Sequence, residues 1–226
     1  GTLLGTTEDG ITVFAAVGDN QAGFVASVKD PVSEILVSVG TSAQLSAFSP
    51  SVPDGATHLG RMEVRPFPGG GYLLTGASIS GGSAYRLLER LFREICIRYT
   101  KTDPGSLLEQ MNTIVVDELV EDEKLTIATQ FLGTRQDPSA RGRIEGISMT
   151  NLGHDDLVGG VLHGIARELA EFFFDLPNEI RSPRKSIVGL GNALRRNPLL
   201  RRLLSEELGL SVILPVKGEE AAIGAA

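Results

Sequence analysis

The order in which periodicity changes along this chain constrains its fold more than any other feature. Strand-forming runs closed by glycine turns fill the first 80 residues, and helical spacings dominate from Ala84 onward. Residues 11–17 are β-rich and lead into Gly18-Asp19-Asn20, a turn signal. Residues 22–28 read equally as a short strand or the start of a helix. Glu34–Val39 is an apolar strand that stops at Gly40-Thr41-Ser42, and residues 44–47 suit the returning arm of a hairpin. A second hairpin pattern pairs residues 62–65 with 72–75 across a proline- and glycine-rich tip.

Beyond that point, Leu87, Leu88, Leu91, Ile95 and Tyr99 recur at helical spacing. Residues 106–119 form a plausible second helix. Residues 126–132 read as a strand and 133–143 as a polar loop. The longest helix is expected over 155–174, where Leu157, Val161, Leu162, Ile165, Leu169 and Phe173 share a stripe and the first turn is acidic. A short strand at 185–188, a helix at Pro198–Leu208 closed by Gly209, and a last strand at 211–214 complete the pattern. With 226 residues, 42% hydrophobic and 22% charged, the chain is ordinary globular protein of one large or two small domains.

The 21 basic and 28 acidic residues leave a net charge of −7, which argues against a nucleic-acid binder held by phosphate neutralisation. A site for one small phosphorylated ligand stays open. The single cysteine, Cys96, excludes an intramolecular disulfide and multi-thiolate zinc, and suits a reducing, cytoplasmic setting. No apolar run approaches the ~18 residues that a membrane-spanning helix needs.

Three glycine-bearing turns are candidates for chemistry. At Gly40-Thr41-Ser42, backbone N–H groups and hydroxyls can converge on an anion, or the segment is a plain hairpin turn. Residues 76–82, from Gly76 through Ser80, join a strand to a helix; such a junction accepts a phosphate or a flat ring, or simply uses Ser80 as an N-cap. The third turn, Gly189-Leu190-Gly191-Asn192, lacks the third glycine of a dinucleotide fingerprint, and no P-loop or nucleophile elbow occurs. Asp19 either accepts a proton from a bound hydroxyl, with Asn20 holding that hydroxyl, or is an Asx-turn residue. His154 and His163 would fall on opposite faces of one helix, which excludes joint chelation and leaves no metal site. Arg195, Arg196, Arg201 and Arg202 read mainly as a solvated helix face, the alternative being that one of them approaches a nucleotide.

In order, these segments resemble the FGGY carbohydrate kinases, and within them the sedoheptulokinase-like branch. Gly18-Asp19-Asn20-Gln21-Ala22 is similar to the family's segment bearing the catalytic base, and Ser38-Val39-Gly40-Thr41-Ser42 to its second phosphate motif. Gly76-Ala77-Ser78-Ile79 resembles the segment before the helix that lines the nucleotide. Phe131-Leu132-Gly133-Thr134-Arg135 with Asp137-Pro138 and Arg141-Gly142 resembles the family's loop, and Gly189-Leu190-Gly191 with Asn197-Pro198-Leu199-Leu200 its adenosine motif, here two residues longer. The run from Glu219 to Ala226 resembles the family's ending.

The resemblance implies an α/β fold, the actin-like, ribonuclease-H-like ATPase domain with a mixed sheet flanked by helices. It implies ATP and Mg²⁺, a sugar acceptor, Asp19 as catalytic base and sugar contact, and Asn20 as a second sugar contact. ATP contacts are implied at Gly40, Thr41, Gly76, Ser80, Gly191 and Asn197. The family's first phosphate motif is absent from this sequence. Residues 1–28 are therefore expected to be the end of a preceding N-terminal domain, and 29–226 the C-terminal, nucleotide-binding domain. The implied reaction is transfer of the ATP γ-phosphoryl to a ketose, sedoheptulose first, with xylulose, ribulose or glycerol as alternatives. A non-catalytic nucleotide-binding scaffold is the rival class. The expected partner is the missing N-terminal domain, an oligomer is possible, and neither nucleic acid nor membrane is expected. Alone, the chain is expected to be inactive.

Overall fold

The computed structural model describes residues 3–14, 16–53, 60–114, 125–215 and 224. In chain order the elements are β1 (Leu3–Thr6), β2 (Thr12–Phe14), α1 (Asp19–Ser27), β3 (Glu34–Val39), β4 (Ala43–Ser49), β5 (Met62–Pro66), β6 (Tyr72–Ser78), α2 (Gly81–Thr100), α3 (Leu108–Asn112), β7 (Thr126–Ala128), β8 (Arg143–Glu145), α4 (His154–Asp175), α5 (Asn178–Arg181), β9 (Ser186–Leu190), α6 (Asn192–Arg196), α7 (Pro198–Leu208) and β10 (Ser211–Ile213).

Six strands form one mixed sheet in the order β10-β9-β3-β4-β6-β5. β10, β9 and β3 run parallel, whereas β3, β4, β6 and β5 are joined antiparallel. Alternation along the strands divides the apolar side chains between two faces. Ile35, Val37, Val39, Leu45, Ala47, Leu74 and Ile187 join the main core with Leu162, Ile165, Leu169 and Phe172 of α4. Leu36, Leu73, Val188 and Leu190 point the other way and meet Phe24 of α1 and Val28 just beyond its end. β1 with β2, and β7 with β8, form separate two-stranded sheets.

Several sequence expectations shift. The strand expected over 11–17 narrows to Thr12–Phe14 and pairs with β1 outside the main sheet. Residues 22–28 are helical through Ser27, with Phe24 buried against Leu36, Leu73 and Leu190 of the sheet. The strand expected over 126–132 ends at Ala128; Phe131 N–H then donates to Thr129 O (2.7 Å) and Gly133 N–H to Gln130 O (3.0 Å), turning the chain. Of the helix expected over 106–119, α3 occupies Leu108–Asn112, and residues 115–119 lie outside the described residues. The helix at Pro198–Leu208 forms as expected, with Asn197 Oδ1 accepting from Leu200 N–H (2.9 Å) and Gly209 left-handed at its end.

Arg184 fastens the sheet's lower edge. Its guanidinium donates to the carbonyl oxygens of Ile180, Pro31, Glu34 and Phe48. Burial lowers its pKa to about 10, and the four carbonyls supply the hydrogen bonds that a buried cation needs.

Candidate active site

β3 and β9 are parallel neighbours, so the turn after each leaves the sheet at the same end. Ligands of open α/β sheets bind in the crevice beyond the carboxyl ends of parallel strands. After β3 the chain turns through Gly40-Thr41-Ser42, where Gly40 and Thr41 are exposed. The start of α2 holds that turn from behind. Gly82 N–H donates to Gly40 O (2.9 Å), and Ser83 donates to Thr41 O through both N–H (3.0 Å) and Oγ (2.8 Å). After β9 the chain turns at Gly191, where φ is +90° and a Cβ would strike the carbonyl oxygen of Val39. No other residue meets both demands.

Two cavities meet at these turns, and both are lined by Gly40 and Gly191. One, of about 310 Å³, lies on the α1 face of the sheet and presents Asp19, Asn20, Ser38, Ser42 and Gln44. The other, of about 510 Å³, lies among the helices of the opposite face and presents Thr41, Gly82, Tyr85, Arg86, Arg196 and Asn197. Both fall in the range of small-molecule sites, roughly 300–1,000 Å³. A ligand reaching from one to the other would pass the Gly40–Gly191 ridge.

Asp19 is the first residue of α1 rather than a strand-end turn, and its exposed carboxylate accepts from Asn20 N–H (2.7 Å). Asn20 lines the same cavity, but its carboxamide is folded against the sheet. Nδ2 donates to Gln44 Oε1 (3.0 Å) and Ser46 Oγ (3.1 Å). Tyr85, in the larger cavity, has its phenol pushed well above its usual range by burial, so the hydroxyl stays protonated.

Not every residue expected at the site reaches it. Gly40, Thr41, Gly191, Asp19 and Asn20 do. Gly76 sits buried within β6, and the space a Cβ would take there is filled by Phe172 of α4, so this glycine serves helix-on-sheet packing. Ser80 is 1% exposed, and its Oγ accepts from Leu132 N–H (3.3 Å), which removes it from any ligand. The glycine that the first turn of α2 brings to the cleft is Gly82. Asn197 borders the larger cavity at 2% exposure, with its carboxamide engaged by Leu200, Asn112 and Tyr85.

Sequence reasoning missed Gln44, which is one polar place in an alternating strand. It placed Arg196 among solvated arginines. Arg196 ends α6 just before the Asn197-Pro198 break and lines the larger cavity. Arg201 instead donates to Leu194 O and Arg195 O, and Arg202 faces Glu206 (3.5 Å). His154 contacts Asp155 and His163 contacts Glu207 of α7. Among the described residues no group of three or more His, Cys, Asp or Glu side chains could hold a metal ion. No described helix is long and apolar enough to cross a membrane.

The same fold occurs in solved kinases. Xylulose kinase from Rhodospirillum rubrum superposes with a TM-score of 0.75 at 20% identity, covering 99% of this chain and 45% of that one. Xylulose kinase from Bifidobacterium adolescentis gives 0.69 at 22% identity over 97% of this chain and 40% of that one. Plasmodium falciparum glycerol kinase with ADP gives 0.67 at 16% identity over 96% and 42%. The fold is thus the actin-like ATPase fold of these sugar kinases, and the chain spans less than half their length. No curated protein matches by sequence. The profile of the C-terminal domain of the FGGY family of carbohydrate kinases matches residues 35–226. With that match over most of its length, the chain belongs to the FGGY family of carbohydrate kinases, as its C-terminal domain.

Proposed function

We propose that this domain supplies the nucleotide-binding half of an ATP-dependent sugar kinase, together with the base that activates the acceptor hydroxyl. The observation that carries the reading is the shared Gly40–Gly191 ridge, with an exposed carboxylate in the polar cavity on one side and a glycine- and arginine-lined cavity on the other. Residues 1–28 then belong with a preceding domain that closes over the cleft, and residues 29–226 form the nucleotide-binding domain.

Phosphoryl transfer asks little covalent chemistry of a protein and much positioning. The acceptor hydroxyl lies beside Asp19, which takes its proton as the oxygen attacks the γ-phosphorus; the bond to the β-phosphate oxygen breaks and ADP leaves. The N–H and hydroxyl of Thr41 hold the transferring phosphates, on a turn closed by Gly40 N–H donating to Ser42 O (2.9 Å). Gly191 lets the nucleotide pass close to backbone. Arg86 and Arg196 put positive charge beside the polyphosphate. Mg²⁺, when bound, would neutralise charge on the phosphates.

The acceptor class is a ketose or polyol. The narrower sedoheptulose expectation draws no support from the comparisons, whose named members include xylulose, gluconate and glycerol kinases. The test uses the full-length protein carrying this chain, assayed by coupled ADP release on xylulose, ribulose, sedoheptulose and glycerol. Asp19→Asn should lower kcat by roughly 10²–10⁴-fold, the usual worth of a positioned base, and leave ATP affinity within about twofold, since only proton transfer is removed. Equal turnover in both proteins removes Asp19 as base. No sugar-dependent turnover in the wild type favours a nucleotide-binding scaffold.

A further inference from the structure

We propose that Gln44, rather than Asn20, is the amide through which this domain reads a hydroxyl of the acceptor sugar, an inference that rests on the kinase reading above. A carboxamide carries two N–H donors and one acceptor oxygen. Both donors of Asn20 are engaged, one on Gln44 Oε1 (3.0 Å) and one on Ser46 Oγ (3.1 Å), and its Oδ1 accepts from Ser46 Oγ (3.3 Å). Ser46 Oγ lies 3.1 Å from Thr75 Oγ1. Ser46 is 1% and Thr75 0% exposed, so the ladder is anchored in the sheet. Asn20 therefore has no donor left for a ligand.

Gln44 is in the opposite position. Its Oε1 is fixed by Asn20, which sets the plane of the amide. Its Nε2 has no partner among the described residues, and it is not among their buried unpaired atoms, the one such atom being Ser27 Oγ. Gln44 lies opposite Ser38 in the β3–β4 register, on the same face of the sheet, and both line the cavity that holds Asp19. Two oriented N–H donors thus share a cavity of about 310 Å³ with the carboxylate that takes the proton. A hydroxyl next to the reacting one accepts from Nε2. A ligand that lacks it leaves those donors unpaired once the cleft closes, which is how a polar site discriminates.

The experiment compares wild type, Gln44→Leu and Gln44→Glu in the full-length kinase, with the sugar it phosphorylates and the set of its monodeoxy analogues. In the wild type one analogue should lose about 10–100-fold in kcat/KM, the scale of a lost hydrogen bond in a partly buried site. Both variants should show a similar loss with the parent sugar and no further loss with that one analogue, while the KM for ATP stays within about twofold. Gln44→Glu keeps the acceptor for Asn20 and removes the donors, so it separates hydrogen bonding from packing. Undiminished penalties at every deoxy position in both variants would overturn the proposal. If the full-length protein phosphorylates no ketose or polyol, the kinase reading falls, and side-chain amide NMR on the ¹⁵N-labelled chain decides. Added xylulose or glycerol that shifts the Gln44 Nε2 signals and not those of Asn20 supports the assignment; no shift, or a shift at Asn20, sinks it.

Discussion

On one face of the sheet Ile35, Val37, Leu45, Ala47, Leu74 and Ile187 are all 0% exposed, closed off with α4. On the other, Leu36, Leu73, Val188 and Leu190 lie beneath the nine-residue α1, while Ser38 and Gln44, paired across β3 and β4, face the cavity. The same two-residue alternation makes both faces. The difference lies in cover: α4 spans 22 residues and excludes water along its length, whereas α1 stops short and leaves a polar cavity. The α4 face thus holds most of the buried core with the larger cavity at its rim, and the α1 face holds the polar cavity with Asp19.

The comparison breaks most readily at Leu169, which is 0% exposed on α4. Leu169→Ala should cost about 2–5 kcal/mol from lost transfer and residual cavity, a large share of the roughly 5–15 kcal/mol that holds a domain. Urea unfolding of the chain measures it. A loss under about 1 kcal/mol would mean that the covered face does not carry the stability assigned to it. Gly76→Ala should cost about 1–3 kcal/mol, because the new methyl overlaps Phe172 and the core must give way. ATP affinity of the full-length protein should stay within about twofold, since Gly76 faces the core. A large fall in nucleotide affinity at unchanged stability would return Gly76 to the cleft.

Gly76 and Gly191 show what a sequence can and cannot disclose. Both follow an apolar strand, and both resemble family glycines. Only the fold separates them: Gly191 has φ +90° against the Val39 carbonyl, whereas Gly76 is ordinary strand opposite a phenylalanine distant in sequence. Local patterns did carry the strand Glu34–Val39, the hairpins, and α7 between its Asn-Pro start and Gly209, because alternation, capping and left-handed glycine are short-range physics. The Gly18-Asp19-Asn20 turn signal and the strand-or-helix ambiguity at 22–28 resolve together, because burial of Phe24 on the sheet favours a helix that begins at Asp19. Gln44 could not be found locally, since its significance depends on register opposite Ser38 and on Asn20 arriving from α1.

Asn197 sharpens the comparison at the boundary between packing and cleft. Asn197→Ala removes the α7 cap and the bonds to Asn112 and Tyr85, and should cost about 1–2 kcal/mol. If its main work is capping, Asn197→Asp should restore much of the stability by keeping the acceptor for Leu200 N–H. Chemical denaturation of the three proteins reads this directly; an aspartate variant no better than alanine would place the weight on the Asn112 and Tyr85 contacts instead.

The smallest effect tests whether the covered face tolerates charge. Glu168, 7% exposed on α4, accepts from Ser78 Oγ (2.9 Å) and Thr129 Oγ1 (3.3 Å). Burial raises its pKa, opposed by those two hydrogen bonds, with Glu171 raising it further and Arg61 lowering it. A carboxyl whose pKa rises on folding keeps its proton over a window where the unfolded chain has released it. Wild-type stability should therefore fall as pH climbs from the ordinary glutamate range through the raised value. Glu168→Gln keeps an acceptor oxygen for both hydroxyls and carries no charge. Thermal melts of the two chains should coincide at the acid end and separate toward neutral pH, with the glutamine variant ahead by less than about 1 kcal/mol. If the wild type instead gains on the variant as pH rises, the ionised carboxylate is held by its hydroxyl partners more strongly than burial opposes it. The α4 face would then accommodate a carboxylate as readily as the exposed position of Asp19 does, and burial alone would not decide where this domain can carry one.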